Sequence, residues 1–124
     1  MANNEVLKLS ESEYRLMDIL WENEKMEATA LAAVCLERFD WKKPTVYTMI
    51  KRLGEKGALR FEDRIVEALV AKEQVDRSES EALLNKAFGG SLPAFMAAFL
   101  QDKKLSREDA ERLTRMIEEA TKVE

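Results

Sequence analysis

The sequence predicts a mainly α-helical protein in two parts: three helices closed by a small β-hairpin, then a run of further helices. Three observations carry this. Gly occurs four times and Pro twice in 124 residues, so long stretches run without a helix breaker. Apolar residues recur at helical spacing behind Ser-x-x-Glu and Ser-x-x-Asp starts. One segment departs from this: beyond Glu62-Asp63-Arg64, the β-branched pair Ile65-Val66 favours strand.

Taken in order, "LSESEYRLMDILWENE" begins with Ser10, and Glu13 completes a capping box in which each side chain satisfies a free backbone N–H. Leu16, Met17, Leu20 and Trp21 then form an apolar stripe, which predicts a helix over residues 11–23. "MEATALAAVCLERF" repeats the pattern through Leu31, Val34, Cys35 and Phe39. Cys35 lies on that inward stripe and reads as a small core residue, because a thiol in apolar surroundings is inert. The third helix lies in "WKKPTVYTMIKRLGEKGAL". Pro44 suits its first position, where a missing N–H costs nothing, and Gly57 supplies the left-handed cap. Val46, Met49 or Ile50, and Leu53 face inward, leaving Thr45, Tyr47, Thr48, Lys51, Arg52 and Glu55 on the other side.

"ALRFEDRIVEALVAKEQ" then gives the hairpin, although "IVEALVAKE" is also compatible with helix. Ser78 with Glu81 is a second capping pattern. "FGGSLPAFMAAFLQ" holds the Gly pair and an apolar run, Leu92, Phe95, Met96, Phe99 and Leu100. Ser106 with Asp109 opens a last helix carrying Leu113, Met116, Ile117 and Ala120.

Charge is unevenly placed along this frame. The chain is acidic, net −4, yet residues 42–64 hold seven basic and three acidic side chains. A basic island in an acidic chain marks a docking point for a polyanion, while the acidic remainder limits indiscriminate binding. Other chemistries are disfavoured. The chain contains no His and a single Cys, which excludes Ser-His-Asp and Cys-His triads and leaves a poor ligand set for zinc or copper. No cofactor or metal is expected. "MANNEVLKLS" has neither a basic start nor an apolar core, and no apolar run is long enough to span a bilayer, so a cytoplasmic protein is expected.

Three helices followed by a hairpin is the order of a winged helix-turn-helix, whose third helix enters the major groove. The outer face fits that use. Lys51 and Arg52 could address guanine, and Thr45, Tyr47 and Thr48 could reach bases or phosphates. Lys42 and Lys43 suit flanking phosphates, as do the free N–H groups at the helix start. Lys56, Arg60 and Arg64 complete the basic set, although Arg52 could instead pair with Glu55 or Glu37. The "FEDR" tip is acidic, so the contribution of the wing to binding is expected to be smaller than is usual for a winged helix. Residues 1–74 are read as the DNA-binding domain and 75–124 as a helical dimerisation region, since Leu92, Phe95, Met96, Phe99, Leu100, Leu113 and Ile117 exceed what one small domain buries. The alternative is a winged helix that uses the same basic face on an acidic protein partner.

The residues also carry a family resemblance. "LSESEYRLMDILW", "WKKPTVYTMIKRLGEKGAL" and "FGGSLPAFMAAFL" are similar, in order and spacing, to segments of the penicillinase-repressor family of BlaI/MecI type. The middle segment keeps the family's W-x-x-x-T-V-x-T-x-x-x-R-L-x-x-K-G pattern through Trp41, Thr45, Val46, Thr48, Arg52, Leu53, Lys56 and Gly57. The resemblance implies a homodimeric transcriptional repressor acting on double-stranded operator DNA of dyad symmetry. It further implies a membrane-bound sensor protease, which cuts the tail of β-lactam-responsive members at an Asn-Phe bond. The matching bond here is Ala98-Phe99, with Phe retained and Asn absent. Copper-responsive relatives end in a Cys cluster; this chain ends "MIEEATKVE", so copper sensing by thiolates is not expected.

Overall fold

Helix α1 (Glu11–Asn23) begins where the capping box places it. The Glu13 N–H donates to Ser10 Oγ at 3.1 Å, and the Ser10 N–H donates to Glu13 Oε1 at 2.9 Å. The computed structural model describes residues 7–122; the first six residues, part of the segment read as lacking an export signal, lie outside them. Beyond α1 the order is β1 (Lys25–Glu27), α2 (Ala28–Phe39), α3 (Lys43–Glu55), β2 (Leu59–Glu62), β3 (Ile65–Ala68), α4 (Lys72–Phe88), α5 (Leu92–Leu100) and α6 (Arg107–Thr121). The described residues divide into two compact units, one ending at Ala82 and the other beginning at Leu83.

The first unit is a winged helix. Leu16, Met17, Ile19 and Leu20 of α1 pack with Leu31 and Cys35 of α2 and with Val46, Met49, Ile50 and Leu53 of α3, all buried. Both Met49 and Ile50 therefore face inward. Helix α3 starts at Lys43, so Pro44 takes the second helical position rather than the first. Its end is a Schellman motif: the Ala58 N–H donates to the Leu53 carbonyl (3.0 Å) and the Gly57 N–H to the Gly54 carbonyl (3.1 Å). Gly57, at φ +82°, supplies the left-handed residue this turn requires.

The wing is larger than the expected hairpin. Lys25–Glu27, whose Met26 and Glu27 the sequence groups with the second helix, is a strand, and the sheet order is β1-β3-β2 with all pairs antiparallel. Three residues carry too little alternation to announce a strand; pairing of Met26 with the buried Val66 creates it. At the β2–β3 turn, Asp63 and Arg64 both have positive φ, 53° and 68°, as a two-residue hairpin of matching twist demands. The Arg64 carbonyl accepts from the Ala28 N–H at 2.9 Å and so ties the turn to the start of α2.

Helix α4 corrects one expectation. Ser78 does not cap it; the helix already starts at Lys72 and Ser78 lies inside. Tertiary contacts move the start upstream. Val75 is buried, Lys72 Nζ donates to the Tyr14 hydroxyl (2.8 Å) and Asp18 Oδ1 (3.0 Å), and the Tyr14 hydroxyl donates to Asp76. The Lys72 ammonium also lies over the Tyr14 and Trp21 rings, at 4.7 and 5.3 Å from their centroids. Trp21 Nε1 donates to the Val70 carbonyl at 2.9 Å.

In the second unit, α5 is capped by Ser91, whose Oγ accepts from the Ala94 N–H (3.0 Å), a cap not anticipated from the sequence. Ser106 caps α6 as expected, accepting from the Asp109 N–H at 3.0 Å. Phe88, Phe95 and Phe99 form an aromatic run with centroid spacings of 5.4 and 6.0 Å. Neither α5 nor α6 buries a residue.

Candidate nucleic-acid interface

The buried stripe of α3 settles what its opposite side presents. With Val46, Met49, Ile50 and Leu53 in the core, Thr45, Thr48, Lys51, Arg52 and Glu55 are exposed together. Thr45, Thr48 and Arg52 fall at helical neighbour spacing, so they form one continuous strip, with Lys51 beside Thr48. Lys42 and Lys43 are exposed at the helix start. Lys42 occupies the N-cap position with extended backbone (φ −74°, ψ 156°), and no side chain caps the helix. The start of α3 thus keeps backbone N–H groups that no side chain caps, Pro44 having none, and carries two exposed lysines, features that suit a phosphate.

Ion pairing sorts the ten basic and polar residues singled out above. Among the described residues, Lys42, Lys43, Lys51, Arg52 and Arg64 have no carboxylate within 4.0 Å. Arg52 is therefore not held by Glu55 or Glu37. Lys56 is differently placed. Its Nζ donates to Glu13 Oε1 at 2.6 Å and to the Lys8 carbonyl at 2.8 Å, stitching the end of α3 to the start of α1. Glu13 is the one buried charged residue among those described, 2% exposed. Burial pushes its carboxyl up, but the Lys56 and Ser10 hydrogen bonds, with the Lys56 and Arg52 charges, outweigh this and leave its pKa lowered.

Arg60 also has a structural partner, Glu67 Oε1 at 2.7 Å, with Glu62 at 3.9 Å. Arg64 sits exposed at the wing turn. Tyr47 lies on the flank of α3 rather than its outermost strip, half-buried, its ring edge-on to Phe61 of β2 at 6.3 Å. The sequence thus located the strip but not the internal engagement of Lys56 and Arg60. The alternation of Arg60, Phe61 and Glu62 was the available signal: it puts Arg60 on the sheet face opposite the core, across from Glu67. Cys35 is fully buried, and burial pushes its thiol up to about 11 against a smaller opposing effect of Arg38, which suits a small core residue. Among the described residues no group of Cys, Asp and Glu is placed to hold a metal ion.

A three-helix frame with a three-stranded wing, presenting an unpaired cationic and hydroxylated third helix, defines a winged-helix DNA-binding protein. Comparison with known proteins makes the assignment specific. The model of the penicillinase repressor family matches residues 9–119, and the chain belongs to that family. It is 27% identical over 119 residues to the penicillinase repressor of Bacillus licheniformis, covering 90% of this chain and 91% of that protein. It is 24% identical over 119 residues to the methicillin resistance regulatory protein MecI of Mammaliicoccus sciuri, and equally to that of Staphylococcus aureus, covering 93% of this chain and 97% of each. The protein is a DNA-binding transcriptional repressor and not an enzyme. Family membership decides against a winged helix used solely for protein contacts. No single helix among the described residues is long and apolar enough to cross a membrane.

Proposed function

We propose that the protein represses transcription as a cytoplasmic homodimer on a palindromic operator. The observation that carries this is the strip on α3, whose cations have no partners among the described residues while Lys56 and Arg60 do. Lys51 and Arg52 address base edges, Thr45, Tyr47 and Thr48 reach bases or phosphates, and Lys42, Lys43 and Arg64 hold phosphates. Lys56 and Arg60 act from behind, by fixing α3 and the wing.

Residues 75–124 form the dimerisation region in this reading. Leu92 and Ile117 are 54% and 59% exposed and Phe99 46%, while Phe95, Met96, Leu100 and Leu113 are half-buried, so apolar side chains on α5 and on α6 are available to a second copy. An isologous pair sets two recognition helices one DNA turn apart, or a multiple of it. Release follows cleavage of the tail by a membrane-bound sensor protease, with Ala98-Phe99 the candidate bond. Both residues are exposed in the single chain, and α5, which holds them, buries no residue there, so the bond is open to a protease whenever the pair dissociates.

The experiment is selection of bound duplexes from a random pool at ~0.15 M salt, followed by a salt titration on the recovered sequence. A palindrome should emerge, and log affinity should fall with log salt by about 0.9 for each phosphate neutralised. Recovery of no sequence, or of a single unrepeated half-site, would overturn the reading.

A further inference from the structure

The cross-strand register sorts the wing residues into two faces. Lys25, Glu67 and Arg60 form one row on the outer face, where Arg60 and Glu67 already satisfy each other. The inner row is Met26, Val66 and Phe61. Val66 is fully buried and Met26 half-buried, but Phe61 on the edge strand β2 remains 45% exposed. It extends the core-facing row to the surface on the α3 side of the wing, where the Tyr47 ring meets it edge-on, interplanar angle 71°. An edge strand is usually kept polar, so a large exposed ring there is available to an occupant.

We infer that Phe61 is a DNA-contacting residue, packing its exposed ring on the apolar surface of the duplex, either deoxyribose carbons or a thymine 5-methyl group. Continuity carries the choice of occupant. Phe61 touches Tyr47, Tyr47 belongs to α3, and α3 presents the cationic strip, so a duplex seated on that strip passes beside the ring. At the wing tip Arg64 is flanked by exposed Glu62 and Asp63, and Arg60 is engaged, so charge by itself gives the wing little affinity. An apolar contact contributes affinity without releasing counterions, which separates it from every Lys or Arg contact. The inference rests on α3 being the groove reader.

The test is fluorescence anisotropy of the full-length protein on the selected duplex across a salt series, comparing wild type, Phe61→Thr, Phe61→Leu and Arg52→Ala. Thr is a strand former and preserves β2; Phe61→Gln replaces it if thermal unfolding shows Phe61→Thr to be misfolded. Phe61→Thr should weaken binding roughly five- to tenfold at every salt concentration with an unchanged salt slope, and Phe61→Leu should stay within about twofold of wild type. A duplex carrying deoxyuridine for thymidine distinguishes the sources. If wild type loses the same factor on it and Phe61→Thr loses nothing more, the methyl group is the contact; if wild type binds it normally, deoxyribose is. Binding of Phe61→Thr within twofold of wild type while Arg52→Ala weakens would overturn the inference alone. If Arg52→Ala and Lys51→Ala also bind as wild type, the groove reading fails and the inference falls with it.

Discussion

The two units of the chain carry similar apolar patterns with opposite outcomes. In α1, Leu16, Met17 and Leu20 recur at helical spacing and are fully buried. In α6, Leu113, Met116 and Ile117 recur at the same kind of spacing, yet Met116 and Ile117 are each 59% exposed. Among the described residues every buried hydrophobic lies at or before Val75. A stripe specifies that a helix has a face to cover; it does not specify what covers it. Within the first unit the cover is α2, α3 and the sheet. Along α6 none of the described residues supplies it, and covering each such side chain contributes about 1 kcal/mol. The first unit holds its own core; the second leaves apolar side chains uncovered.

The largest expected effect tests that contrast directly. Ile117→Glu should convert the proposed dimer to monomer in sedimentation and weaken operator binding by at least about 100-fold, while leaving the melting of the winged helix unchanged. A variant still dimeric would move the interface away from α6. Next is Lys56→Ala, which strands a buried carboxylate inside the first unit. It should cost about 2 kcal/mol in a denaturant melt, less than for a fully buried pair because Lys56 is 34% exposed in its side chain. The pH sign follows from Glu13, whose folded-state pKa is lowered from 4.5. Its contribution is complete above that value and lost as pH falls through the folded pKa, so wild type should lose stability on acidification and Lys56→Ala should lose less. No difference in acid sensitivity would show that the pair is not coupled.

A smaller effect separates helix from wing. Arg52→Ala should weaken operator binding by about 1–3 kcal/mol, with a sequence-dependent component, and Arg64→Ala by less; equal losses would break the distinction between them. The smallest concerns stability. Arg64 holds φ +68°, a conformation that disfavours side chains, so Arg64→Gly should stabilise the first unit by about 0.5–1 kcal/mol in a denaturant melt.

Much of the first unit was legible from residues alone. The Ser10–Glu13 box, the α3 stripe and the Gly57 cap are local rules, decided by groups within a few residues of each other, and each stands where the sequence puts it. The cationic strip was legible for the same reason: once one side of a helix is buried, the other is known. What failed was non-local. Ser78-Glu81 has the letters of a cap, but Val75 and the Lys72–Tyr14–Asp76 contacts start α4 earlier. Lys25–Glu27 is a strand only because β3 lies beside it. Lys56 and Arg60 look like their neighbours in the sequence; Glu13, 43 residues from Lys56, and Glu67 across the hairpin engage them. By itself, the sequence determined that these segments are helical, which face of each carries the apolar stripe and where positive charge gathers, because those depend on short-range geometry and periodicity. Only the tertiary structure decided which of the charges remain unpaired and which apolar stripes remain uncovered, because a partner distant in sequence satisfies a group only once the chain has brought the two together.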